Sequence, residues 1–274
     1  MAIYIIITLA FLAGLGFSMR YLLRRLRRDK LLKMPMSEEW LGFIHKNLPV
    51  YKKMPRDLQR QLQGMTQVFV DEKEFIGAEG LEITDEMKVT IAAQACMLLL
   101  NRKEDIYPYL YNVIVYPDAY QHTHMVPDEN GVMKEETITR LGESWTKGSV
   151  VLSWKHSKQG GSNFSDGHNV VIHEFSHQLD QADGVADGTP ILEENSAYRG
   201  WGSVLGAEYK KLQTRSKKEK RRAVLREYGA TNEAEFFAVS SEAFFEKPKQ
   251  MRKKHPELFE ELKEYYKVDP SEWQ

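Results

Sequence analysis

Two histidines and a glutamate define the chemistry open to this chain. The stretch His173-Glu174-Phe175-Ser176-His177 reads H-E-x-x-H. Residues i and i+4 share one face of a helix, so both imidazoles can reach a single divalent ion. Glu174 is turned roughly 100° from His173 about the helix axis, where a carboxylate approaches the ion's water without becoming a ligand. Val170, Val171 and Ile172 precede the motif and Leu179 follows it. The helix is therefore largely buried, and imidazoles on a buried helix need a polar or metal partner. The competing reading is a helix with two hydrogen-bonded histidines and a surface glutamate. A third ligand decides between them, because catalytic zinc takes three protein ligands and keeps one position for water.

Downstream, Thr231 or Asn232 is placed to cap a helix. Within it Ala234, Phe237, Ala238, Ser241 and Phe245 recur at helical spacing, as a packed face does. Glu235 and Glu242 fall on a common face, two turns apart. Either could be the third ligand on spacing alone. Glu235 also fits a capping box with Asn232, and Glu242 fits a solvated charge. Asp180, three residues after His177, is placed either to orient a ligand imidazole or to end the helix at the surface. His122 and His124 form H-x-H in a polar segment and read as a loop near the cleft. His168 flanks the zinc helix, and His45, His156 and His255 read as surface residues.

The elements that must position these groups are legible in outline. The length of 274 residues allows a sizeable core. A helix is expected from Pro55 to about Val70, with proline in its first turn. A connection or short strand is expected around Phe75-Ile76-Gly77. Thr84 caps a second helix, with Asp85 and Glu86 in its first turn; that helix is apolar nearly all round through Leu100 and carries the lone Cys96 as a small core residue. Strands over 112–117, 137–141 and 150–154, with a turn at Pro127-Asp128-Glu129-Asn130-Gly131, predict a small mixed, mostly antiparallel sheet. Beyond Gly167 the pattern is helical. The fold class is therefore α+β, mostly helical.

The net charge of −1 gives no general attraction to nucleic acid. The run Lys217-Lys218-Glu219-Lys220-Arg221-Arg222 reads as a solvated helix face. The N-terminus is different. Residues 2–19 are apolar except for Thr8 and Ser18, and Arg20, Arg24, Arg25, Arg27, Arg28, Lys30 and Lys33 follow. As a helix the apolar run is about 27 Å long, close to the hydrocarbon thickness of a bilayer. No basic residue precedes it and no small-residue cleavage pattern follows, which argues against a signal peptide. The expectation is a single transmembrane anchor over 1–19, a basic juxtamembrane linker over 20–35 that also meets anionic headgroups, and a metal-binding domain over 36–274. The basic flank places that domain on the cytoplasmic face of the inner membrane.

His173 to Asp180, with Tyr228-Gly229-Ala230-Thr231-Asn232-Glu233-Ala234-Glu235-Phe236-Phe237-Ala238, resembles the Mlc titration factor A family of zinc peptidases. Met87 to Cys96 and Gly148 to Trp154 resemble further family segments, so the likeness covers most of the chain after Ser37. The Tyr-to-Glu block is also similar to the catalytic domain of anthrax lethal factor. The resemblance implies a zincin fold of the gluzincin type. It implies one Zn²⁺ per chain held by His173, His177 and Glu235, with Glu174 as general base and Tyr228 stabilising the transition state. It thus chooses Glu235 over Glu242. Relative to lethal factor, Val239 stands where an acidic residue is found, and Glu242 is a candidate substitute. Zincins bind peptide along an edge strand beside the zinc helix, so the resemblance and chain order point to Val151, Leu152 and Ser153 as substrate-binding. The implied function is a zinc-dependent peptidase, with a peptide or protein substrate. The alternative is a zinc-containing regulatory protein that captures a transcriptional regulator or membrane partner with little hydrolysis.

Overall fold

The computed structural model describes residues 2–103, 105–127, 133–140, 142–145, 148–215 and 223–273. Side chains at positions 2, 3, 5, 6, 8, 10, 13 and 120–147 are outside the description. The polar turn at 127–131, the H-x-H histidines and the basic run at 217–222 therefore fall wholly or in their side chains outside it.

The chain begins with α1 (Ala2–Lys33), α2 (Glu38–Asn47), α3 (Arg56–Glu72), the short strand β1 (Glu74–Gly77) and α4 (Asp85–Met97). The expected cap of α4 is present, and the expected proline lies one residue outside α3. Thr84 Oγ1 accepts from the Met87 amide at 3.4 Å, and Pro55 stands just ahead of α3. All of α4 from Val89 to Met97 is buried, which is why its sequence shows no polar face. It ends at Met97, three residues earlier than the apolar run, and Leu98 to Leu100 continue as buried turn.

Next come β2 (Asn112–Tyr116), β3 (Tyr120–Pro127), β4 (Met133–Arg140), β5 (Gly142–Trp145) and β6 (Ser149–Ser153). β3 and β4 pair as an antiparallel hairpin, so His122 and His124 lie in a strand, not a loop. The remaining strands form one sheet in the order β1-β2-β6-β5. β1, β2 and β6 are parallel and only β5 runs antiparallel. The expected antiparallel character is thus confined to one strand and the separate hairpin. The cause is burial: every residue of β6 is buried, and strands covered on both faces are those of parallel sheets.

The C-terminal half is helical: α5 (Trp154–Ser162), α6 (Val170–Asp180), α7 (Ala197–Gln213), α8 (Glu233–Glu246), α9 (Pro248–Lys254) and α10 (Pro256–Tyr266). α8 is buried continuously from Phe236 to Glu246. Its Phe237 ring packs on Trp201 of α7 at 5.6 Å and on Tyr265 of α10 at 5.8 Å. α10 is therefore part of the core, with Leu258, Phe259, Leu262 and Tyr266 fully enclosed.

The N-terminal segment is one helix: α1 runs unbroken from Ala2 through Lys33, across the boundary expected between the apolar run and the basic segment. Its last turns dock on α3, where Gln67 Nε2 donates to Leu31 O and Met34 O at 3.1 and 2.9 Å. Gly64 permits this approach, since a Cβ there would stand 2.6 Å from Leu32 O. Among the described residues no helix is long and apolar enough to cross a membrane.

Candidate metal centre

α6 is fixed at its start by Asn169. Its Oδ1 accepts from the Val171 and Ile172 amides at 3.1 and 3.0 Å, and its Nδ2 donates to Gln94 Oε1 of α4 at 3.0 Å. One turn later His173 and His177 project side by side, ring centroids 4.9 Å apart. Glu174 is buried beside them, 5% exposed.

α8 supplies the third group. Asn232 Oδ1 caps the Glu235 amide at 2.8 Å, so half of the capping-box pattern forms. The Glu235 side chain, however, turns toward the imidazoles. Its Oε2 lies 2.9 Å from His173 Nε2 and 3.5 Å from His177 Nε2. That same oxygen is buried with no hydrogen-bond partner. One ligand atom from each of His173, His177 and Glu235 lies within 4.8 Å of the others. Two imidazole nitrogens and one carboxylate oxygen converging on a point, with the oxygen otherwise unsatisfied, fit the donor set of a catalytic zinc.

Tyr228 sits on the 3₁₀ turn Glu227–Ala230 ahead of α8. Its hydroxyl donates to Glu235 Oε1 at 3.2 Å, and its ring is 5.8 Å from that of His173. It is 51% exposed, so it borders the opening of the site. Glu242, two turns beyond Glu235, is fully buried, and its Oε1 lies 2.8 Å from His173 Nδ1. His173 thus has a carboxylate against each ring nitrogen. Burial opposes its protonation, but the Glu235 and Glu242 contacts outweigh that and hold its pKa up at about 10. Burial would likewise raise Glu235 and Glu242, yet His173 and His177 keep Glu235 well below the usual carboxylate range, and His173, with Arg226, lowers Glu242.

Two expected placements are not met. Asp180 is fully buried, but its Oδ2 accepts from the Gly188 amide at 3.0 Å. It holds the loop after α6 and makes no hydrogen bond to His177; burial raises its pKa to about 6. Val151, Leu152 and Ser153 belong to β6, which is paired on both sides, by β2 and β5. Both of its backbone edges are already used. Among the described residues β5 is the outermost strand on this side of the sheet, and it lies alongside α6.

Two contributors were missed. Asn169 was within reach, as a helix-capping residue directly ahead of an apolar run. Arg226 was not: its Nη2 contacts Glu242 Oε1 and its Nε donates to Gly167 O at 3.1 Å, a tertiary arrangement with no local signature.

Residues 23–267 match the family described as glucose-regulated metallo-peptidase M90. A Synechocystis sp. protein of uncharacterised function is 37% identical over 245 residues, 89% of each chain. Mlc titration factor A of Klebsiella pneumoniae is 29% identical over 225 residues, covering 81% of this chain and 84% of that one. The Salmonella arizonae protein of the same name is 26% identical over 245 residues, covering 89% and 96%.

Proposed function

The chain belongs to the glucose-regulated metallo-peptidase M90 family, and on that premise we propose that it is a zinc peptidase using His173, His177 and Glu235 as ligands. The observation that carries this reading is the Glu235 carboxylate, brought from a separate helix with Oε2 buried, unsatisfied and against both imidazoles.

When bound, zinc supplies Lewis acidity that polarises a peptide carbonyl and acidifies water. Glu174 accepts the proton of the attacking water and returns it to the leaving amine. Tyr228 exchanges its bond to Glu235 for one to the developing oxyanion; its exposed position on a short turn leaves room for that swing. Glu242 holds His173 through Nδ1, which leaves Nε2 as the ligating atom. The substrate main chain pairs by strand addition with β5, the outermost strand of the sheet among the described residues. The N-terminal end of α1 contacts lipid, with the catalytic domain on the cytoplasmic side of the inner membrane. The apolar run of the sequence supports this, as does the exposure of Phe11 and Phe17 on α1 at 67% and 76%.

The test is Glu174→Gln. The variant should keep one zinc per chain and lose turnover by roughly 10²-fold or more. Unchanged turnover would remove Glu174 from the mechanism, and a wild-type chain that binds no zinc would remove the enzyme reading. The name of the Klebsiella and Salmonella relatives favours a second reading, capture of a transcriptional regulator. Under it, a regulator retained by both wild type and Glu174→Gln would accompany failure to cleave any member of a peptide library.

A further inference from the structure

The carboxylate behind His173 is itself held from several sides. Glu242 Oε2 accepts the Asn169 amide at 2.6 Å, and Oε1 meets both His173 Nδ1 and the Arg226 guanidinium. Arg226 Nε donates to Gly167 O at 3.1 Å. One turn further along α8, Glu246 Oε2 accepts the Gly167 and His168 amides at 2.7 and 3.0 Å. The segment entering α6 is thus clamped to α8 by two carboxylates, and Arg226 closes the clamp from the third side. Arg226 also stands two residues before Tyr228, at the N-terminal boundary of its 3₁₀ turn.

We propose that Arg226 is a positioning residue. It fixes the Glu242 carboxylate against His173 Nδ1, and so sets the orientation of a zinc ligand, while anchoring the turn that carries Tyr228. The proposal rests on the zinc reading above. A guanidinium suits the task because its planar fork reaches two acceptors at fixed angles: the carboxylate of α8 and the carbonyl at the start of α6. A lysine ammonium can serve one of them with full geometry. The side chain is 28% exposed, so its loss does not leave a sealed cavity.

The experiment uses the full chain in detergent and reads the zinc dissociation constant by competition with a chromophoric chelator, zinc alone being the probe. Arg226→Ala should weaken zinc binding about tenfold or more, the usual effect of removing a group that orients a ligand. Arg226→Lys should fall between Arg226→Ala and wild type. Glu242→Ala should weaken binding at least as much, and Arg226→Ala added to Glu242→Ala should cause no further loss. Wild-type affinity in Arg226→Ala overturns the proposal. So does a full additional loss in the double variant, which would mean that Arg226 acts generally on the fold. If Arg226→Ala fails to fold, the Arg226→Lys comparison in the presence and absence of Glu242 decides on the same terms. A wild-type chain without zinc affinity overturns this proposal and the peptidase reading together; tight wild-type binding that Arg226 variants share overturns this one alone.

Discussion

At the scale of single residues, the proposed roles separate groups that bind from groups that act. Tyr228 contacts Glu235 Oε1 but is no member of the three-donor set. Tyr228→Phe should therefore leave zinc stoichiometry unchanged and lower kcat by about 10²-fold, as losing one oxyanion donor does; an equal fall in zinc content would show that the hydroxyl serves the ligand instead. Glu246 makes a different prediction. Burial first, and the neighbouring Glu242 charge second, raise its pKa from 4.5 to about 8. Between those two values the folded chain retains a proton that the unfolded chain has released, so this group's contribution to stability falls as pH rises across that window. Its Oε1 is also buried without a hydrogen-bond partner. Glu246→Gln keeps an oxygen for the Gly167 and His168 amides and cannot ionise. Its Tm advantage over wild type should be small at pH 5 and grow toward pH 8, and thermal unfolding at several pH values measures it. A pH-independent difference would mean that Glu246 is not protonated in the folded chain.

At the scale of elements, the centre depends on how the loop after α6 meets the start of α8. Gly188 lies there at φ +78°, its amide held by Asp180 and its carbonyl accepting from Trp201 Nε1 at 3.0 Å. A Cβ at this position would stand 2.4 Å from Glu233 O, a backbone atom two residues before Glu235. Gly188→Ala should cost roughly 2 kcal/mol or more and weaken zinc binding, because backbone at α8's N-terminus must yield. Gly184, at φ +95° with open space around it, is the control. Its alanine variant carries only the left-handed strain, about 1 kcal/mol, and should keep full zinc affinity. Denaturant unfolding and chelator competition on the pair separate the two effects. The same scale shows what the sequence could reveal. His173 and His177 were legible because the i, i+4 rule is local, and Thr84 because a cap is local. Glu235 could not be separated from Glu242 by periodicity, since both fall on one face of α8 and only the approach of α6 assigns one to each ring nitrogen of His173. The internal place of β6 was hidden for the same reason. Continuous burial is visible in Val150-Val151-Leu152, but which strands flank it is decided by pairing across distant segments.

At the scale of the whole molecule, α1 has two parts of different character. Its first part carries exposed apolar side chains such as Phe11, Leu12, Leu15 and Phe17, while its last turns belong to the body. Leu31 packs on the core, Arg28 pairs with Asp105 at 2.8 Å, and Gln67 bonds the backbone of Leu31 and Met34. Cutting the helix at two places should therefore give two different outcomes. A chain beginning at Arg20 removes the apolar run and keeps the docked turns. It should unfold within a few degrees of the full chain and bind lipid vesicles less tightly than the full chain does. What binding remains should come from Arg20, Arg24 and Arg25 on anionic vesicles and disappear at high salt, because such contacts are screened within about a Debye length. A chain beginning at Met36 also loses Leu31 packing and the two Gln67 bonds, and should be less stable by about 2 kcal/mol. Undiminished, salt-resistant vesicle binding by the Arg20 chain would show that lipid is met by some other surface. Equal stability of the two truncations would show that the last turns of α1 dock on α3 without contributing to the fold.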